Sequence, residues 1–211
     1  MTAPKTVFAL VGAACVGFLV GYVVRGHLAF GPKGQAVNQF DDNEDGKADG
    51  ETVFTNGIAV LRRHDRNFDG KWDEWQWFDE SGRVVRSEQD NNFDGLVDGW
   101  VTYHFNQPVF SKHDVDGNGV PDLVVLYKDT LPSVLLCLPN AGKNHCLVQF
   151  FEHGIVREEY SDSNGNGLLD TKRSFDVFGR LDSKQTFSPE IDPQDIMTTH
   201  KAEQAWRLFS P

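Results

Sequence analysis

A nine-residue motif that returns about every 24 residues dominates this chain. DDNEDGKAD begins at Asp41, DRNFDGKWD at Asp65, DNNFDGLVD at Asp90, DVDGNGVPD at Asp114 and DSNGNGLLD at Asp162. The steps are 24, 25, 24 and 48 residues, and the last is twice the period, so a unit lacking the motif starts near position 138. A unit this short buries its apolar side chains only against its neighbours, which makes the chain a repeat array. A second marker keeps the same register. Phe54, Phe78, Tyr103, Tyr127, Phe151 and Phe175 each lie 13 residues after a unit's start, and Phe30 lies one period before Phe54.

Outside the motif each unit has about 15 residues, enough for two strands of ordinary length around a short turn. Asn56-Gly57, Ser81-Gly82, Asn106-Gln107, His153-Gly154 and Phe178-Gly179 mark those turns. Connections this short join only antiparallel neighbours. The expectation is an all-β antiparallel meander or β-solenoid of hairpin repeats with about 13 strands, from units starting near 41, 65, 90, 114, 138 and 162. Composition agrees: 21 Asp against 10 Glu, with 20 Gly and 16 Phe, favours turns and strands over helices. Asp192-Pro193 reads as a helix cap and first turn, with Ile196, Ala202, Ala205, Trp206 and Phe209 at helical spacing. This predicts a helix over about 193–208 that covers the last sheet edge. The organisation expected is 1–27 as a membrane anchor, 28–185 as repeats and 186–211 as a capping segment.

The motif reads D-x-[DN]-x-[DN]-G-x-x-D. Oxygens at positions 1, 3 and 5 converge on one point, Gly at 6 permits a sharp turn, and the carbonyl at 7 adds another oxygen, a hard-cation pattern. The candidate ligands are Asp41, Asn43, Asp45, Lys47 and Asp49; Asp65, Asn67, Asp69, Lys71 and Asp73; Asp90, Asn92, Asp94, Leu96 and Asp98; Asp114, Asp116, Asn118, Val120 and Asp122; and Asp162, Asn164, Asn166, Leu168 and Asp170. An EF-hand carries Glu at position 12, where this chain has Thr52, Gln76, Val101, Val125 and Arg173, so the EF-hand itself is excluded. The loops instead resemble the calcium loops of FG-GAP, integrin-α-type repeats. The likeness covers the five loops and not the fold around them. It implies up to five Ca²⁺ bound structurally between strands. These positions hold 14 of the 21 Asp, and five Ca²⁺ would bring the formal charge from −11 to −1. The Asp162 loop keeps two carboxylates and is expected to bind most weakly.

Val7 to Val24 is 18 residues without a charge, about 27 Å as a helix and enough for a bilayer core. It reads as an uncleaved membrane anchor, with signal-peptide cleavage or lipidation at Cys15 as alternatives. Ala13, Gly17 and Gly21 form a small-residue stripe that could seat a partner helix, the basis for expecting a homodimer. Cys137 and Cys146 flank the one vacant loop, LPNAGKNHC, and are expected to form a disulfide in place of its ionic closure. A net charge of −11 argues against nucleic acid as a partner.

No H-E-x-x-H, G-x-S-x-G or phosphate-binding glycine motif is present, and His64 and His113 read as surface strand residues beside their loops. Trp75, Trp77 and Trp100 share one strand parity with Glu51, Val124, Leu126, Val148 and Phe150. That face is either a second core layer, formed by the sheet closing on itself, or an exposed binding patch. Calcium is abundant outside cells and scarce inside. The expected protein is therefore non-enzymatic: an anchored scaffold or adhesion module with its amino terminus in the cytoplasm, repeats outside, and protein or glycan partners. The alternative is a cell-envelope hydrolase or glycan-processing enzyme with structural calcium.

Overall fold

The computed structural model describes residues 27–31, 34–137 and 146–202. Its strands are β1 (His27–Gly31), β2 (Gln35–Phe40), β3 (Gly50–Thr55), β4 (Ile58–His64), β5 (Glu74–Phe78), β6 (Val84–Gln89), β7 (Gly99–His104), β8 (Gln107–His113), β9 (Leu123–Lys128), β10 (Leu131–Cys137), β11 (Leu147–Glu152), β12 (Ile155–Ser161), β13 (Leu169–Phe175) and β14 (Leu181–Ile191). They form one 14-stranded sheet in sequence order, so the repeat is a meander and not a solenoid. Each pair is antiparallel, as the short connections require. Hairpin turns line one margin and the nine-residue loops line the other.

The recurring aromatic marks a β-bulge. In every hairpin from β3/β4 to β13/β14 the register shifts at Phe54, Phe78, Tyr103, Tyr127, Phe151 or Phe175. The second strand of each hairpin carries one extra residue there, which raises the local twist.

Cross-strand pairing places Glu51, Trp75, Trp77, Trp100, Val124, Leu126, Val148 and Phe150 on one face, as their parity predicts. The expected second core layer forms in the apolar half of that face, though not by the sheet closing on itself, while Trp75, Trp77 and Trp100 are half-buried. The apolar half, around Val124, Leu136 and Val148, is covered by helix α1 (Pro193–Thr199), whose Ile196 and Met197 join the same core with Leu169 and Ala202. Asp192 caps the helix by accepting the Gln194 N–H at 2.8 Å, and Pro193 occupies the first turn. His200 follows the helix, stacks on Phe150 with ring centroids 4.0 Å apart, and bonds Glu158 at 3.0 Å. All the buried apolar side chains among the described residues lie from Val124 onward. Towards the amino terminus, polar groups take those places: Glu51 ion-pairs with Arg63, and Arg86 stacks over Trp77 at 3.8 Å.

Several expectations need adjusting. The described residues hold 14 strands where about 13 were expected, and β14 runs through residue 185, where the repeat region was expected to end. The third turn centres on Phe105-Asn106, one residue earlier than expected, and a further turn at Asp129-Thr130 carried no recognisable signal. The helix ends at Thr199, residues 200–202 are not helical although the expected helix included them, and its remainder, from 203 to 208, lies outside the described residues. So do the apolar segment with Cys15, the Ala13, Gly17 and Gly21 stripe, and the vacant loop from 138 to 145. Among the described residues no helix is long and apolar enough to cross a membrane.

Candidate metal centres

Each loop is built by its own side chains acting as acceptors for its backbone. Asp41 takes the N–H groups of Asp45 and Gly46 at 3.2 and 2.8 Å. Asp65 takes those of Asp69 and Gly70, and Asp90 those of Asp94 and Gly95, at matching distances. Asn43, Asn67 and Asn92 accept from the residue two places on. Asp45, Asp69 and Asp94 accept from Lys47, Lys71 and Leu96, so the position-7 residues enter this frame through their N–H groups. Asn118 and Asn166 do the same with Val120 and Leu168. These local acceptors hold the chain in a shape that neither helix nor strand allows.

The glycine at position 6 is required: Gly46, Gly70, Gly95, Gly119 and Gly167 have φ between 86° and 91°. Position 4 is also left-handed, with Glu44, Phe68 and Phe93 at 61–63° and Gly117 and Gly165 at 72° and 78°. A non-glycine residue there costs of order 1 kcal/mol or more.

The closing Asp acts first as a clasp. One Asp49 oxygen accepts the N–H groups of Asp42 and Asn43, and Asp73 and Asp98 repeat this with Arg66-Asn67 and Asn91-Asn92. Asp170 is held below the usual carboxylate range, chiefly by the Ser163 hydroxyl at 2.7 Å. Successive loops are also tied together. The N–H of Asp65 bonds the carbonyl of Asp49, Asp90 bonds Asp73, Asp114 bonds Asp98, and Asp162 bonds Cys146, at 2.7 to 3.0 Å. Cys146 therefore stands where the vacant unit's closing residue was expected.

The disulfide expected there is absent. Cys137 and Cys146 are both thiols. Register explains this: Cys137 lies opposite Leu147, whereas Cys146 shares the face of Leu136 and Val148 and sits in the core. Burial, with the nearby Cys137 as a second cause, pushes the Cys146 thiol up to about 12.

Two features were not legible from the motif. Glu190 of β14 reaches across to the Asp162 loop and accepts from the side-chain amides of Asn164 and Asn166 at 2.7 and 2.6 Å. A third carboxylate thus reaches the loop that carries only two, from a residue outside the repeat register. Second, the loops differ in convergence. Among the described residues, only Asp114, Asp116 and Asp122 bring three carboxylates together, with oxygens within 4.8 Å of one another. His113, beside them, is half-buried and donates to or accepts from Ser111 at 2.9 Å. Burial holds its pKa low against the pull of Asp98 and Asp122. A groove of about 380 Å³ lies between this loop and the one before it, lined by Asn91, Asn92, Asp98, His113, Asp114, Val115 and Leu123.

The donor set fits a hard divalent cation: it consists of carboxylates and amides, with no thiolate or clustered imidazole. Buried oxygen-rich charge without a basic partner is also the environment such an ion neutralises.

No family model and no curated protein matches the chain. Among solved structures, a complex of accessory secretory proteins 1, 2 and 3 from Streptococcus pneumoniae is similar at 11% identity and a TM-score of 0.29, covering 63% of this chain and 20% of that one. A GtfA/B complex is similar at 11% identity and a TM-score of 0.26, covering 63% of this chain and 22% of that one. The chain spans about a fifth of the length of both.

Proposed function

We propose that this is a calcium-rigidified β-repeat protein, anchored in a membrane with its repeats outside the cytoplasm, that serves as a scaffold or adhesion module toward protein or glycan partners. One observation carries the calcium reading. Asp49, Asp65, Asp73, Asp90, Asp98, Asp114, Asp122 and Asp170 are only 2–9% exposed, yet no Lys or Arg among the described residues ion-pairs with any of them. Backbone N–H groups offset part of this charge, and a divalent cation in each loop offsets the rest. The anchor and the outward topology rest on the uncharged 7–24 segment and on where calcium is available.

The sheet gives the ions a structural task. Among the described residues its amino-terminal half has no buried apolar core, so its rigidity depends on strand pairing and on the loops. Thermal melting of the full chain in detergent, with Ca²⁺ and then with excess chelator, tests this. Each independent site at about 100 times its dissociation constant adds roughly 2.7 kcal/mol. A melting temperature unmoved by chelator overturns the reading.

A further inference from the structure

The inference here rests on the calcium reading of the loops and distinguishes among them. We propose that the Asp114 loop is the preformed cation site of the array. It takes up the first Ca²⁺ with Asp122 as a direct ligand, while the closing Asp of the other loops is held as a backbone clasp.

Four observations lead there. First, Asp114, Asp116 and Asp122 offer oxygens within 4.8 Å of one another. Ca²⁺ binds oxygens at about 2.3–2.6 Å, so its shell spans up to about 5 Å. An ion can therefore enter without rebuilding the loop.

Second, Asp122 has an oxygen to give. The residue is 6% exposed, and its Oδ1 is buried with no hydrogen-bond partner. A buried carboxylate oxygen without a partner is costly, and a cation in this cluster satisfies it. Its other oxygen takes a single long bond, from the Val115 N–H at 3.3 Å. Asp49, Asp73 and Asp98 each accept two backbone N–H groups, and Asp98 also accepts the Asn91 side-chain amide at 2.6 Å. Asp170 is taken up by the Ser163 backbone and hydroxyl and by the Thr171 hydroxyl.

Third, position 3 is Asp116 here, where the other four loops have Asn. The Asp41, Asp65 and Asp90 loops also carry three carboxylates, at positions 1, 5 and 9, so what sets this site apart is their placement at 1, 3 and 9, where the three oxygens converge. Asp116 is exposed, so the site opens to solvent on that side.

Fourth, both left-handed positions are glycine, Gly117 and Gly119, so the binding shape carries none of the strain borne at Glu44, Phe68 and Phe93.

The test is calorimetric Ca²⁺ titration of the calcium-stripped full chain in detergent, comparing wild type, Asp122→Asn and Asp98→Asn. The first equivalent is expected to weaken about tenfold or more in Asp122→Asn, with later uptake retained. In Asp98→Asn the first equivalent should stay at wild-type affinity. If Asp98→Asn removes the tightest equivalent and Asp122→Asn does not, the assignment falls while the array reading stands. If wild type takes up no Ca²⁺ at millimolar concentration, both fall. Circular dichroism in chelator checks folding. Should Asp122→Asn fail to fold, Asp116→Asn at the exposed ligand must show the same loss of the first equivalent, and retention there overturns the proposal.

Discussion

At the scale of single residues, the backbone's left-handed positions set the strongest local constraints. Thr130 has φ 69° in the turn between β9 and β10, where its branched Cβ is strained. Thr130→Gly should raise stability by about 1 kcal/mol, read as a higher denaturant midpoint with unchanged slope. Gly95, at φ 91°, is the reverse case. A Cβ there meets nothing within 4 Å, so Gly95→Ala costs only the conformational strain, about 1–2 kcal/mol. An Ala variant as stable as wild type would show that the loop relaxes to another shape. Position 6 was legible in the sequence because glycine recurs there. Position 4 was not, because Glu44, Phe68, Phe93, Gly117 and Gly165 share a conformation but no chemistry. The loop's hydrogen bonds impose that conformation, and the residue at the position does not select it.

At the scale of elements, α1 and the strands beneath it form the one conventional core among the described residues. Glu158 anchors the join. It bonds Lys172 at 2.7 Å, His200 at 3.0 Å and the Tyr160 hydroxyl at 3.0 Å. Burial alone would raise its pKa, but these three donors outweigh that and hold it below its ordinary value of 4.5. A depressed carboxylate contributes stability above its unfolded pKa and loses it as pH falls through the folded one. The stability gap between wild type and Glu158→Gln should therefore be full at neutral pH and shrink as pH drops from about 5 to about 3. A gap constant across that range would mean the carboxylate charge is not what holds the helix. The Cys146 thiol, 1% exposed and shifted up to about 12, should resist alkylation at pH 8 in the native protein and react once denaturant is added, without any reductant. Reaction that requires a reductant would restore the disulfide. Hairpin units, the sheet's parity and the helix start were legible because periodicity and capping are local. The lid over Val124 and Val148 was not, since nothing in the period states which face a terminal helix will cover. Glu190 was missed for the same reason: it acts across the sheet and not within a unit.

At the scale of the whole molecule, the sheet divides into a carboxyl-terminal half with an apolar core and an amino-terminal half held by polar pairing and loops. Stripping the loops of cations should therefore loosen the β2–β8 region before the α1-covered strands. Hydrogen exchange would read this as chelator-dependent protection confined to the earlier strands, and uniform loss along the sheet would contradict it. The row of loops has a further property, which comes from its pitch. Adjacent strands lie about 4.8 Å apart, so loops two strands apart recur at about 9.6 Å. The screening length in physiological salt is about 8 Å. A change of charge in one loop is thus felt, faintly, by the next and hardly by the one beyond. The unit without a motif doubles the gap between the Asp114 and Asp162 loops to about 19 Å, more than two screening lengths. Electrostatically the chain is a run of four sites coupled to their nearest neighbours, with a fifth standing alone, and lowering the salt concentration is what would join it to the others.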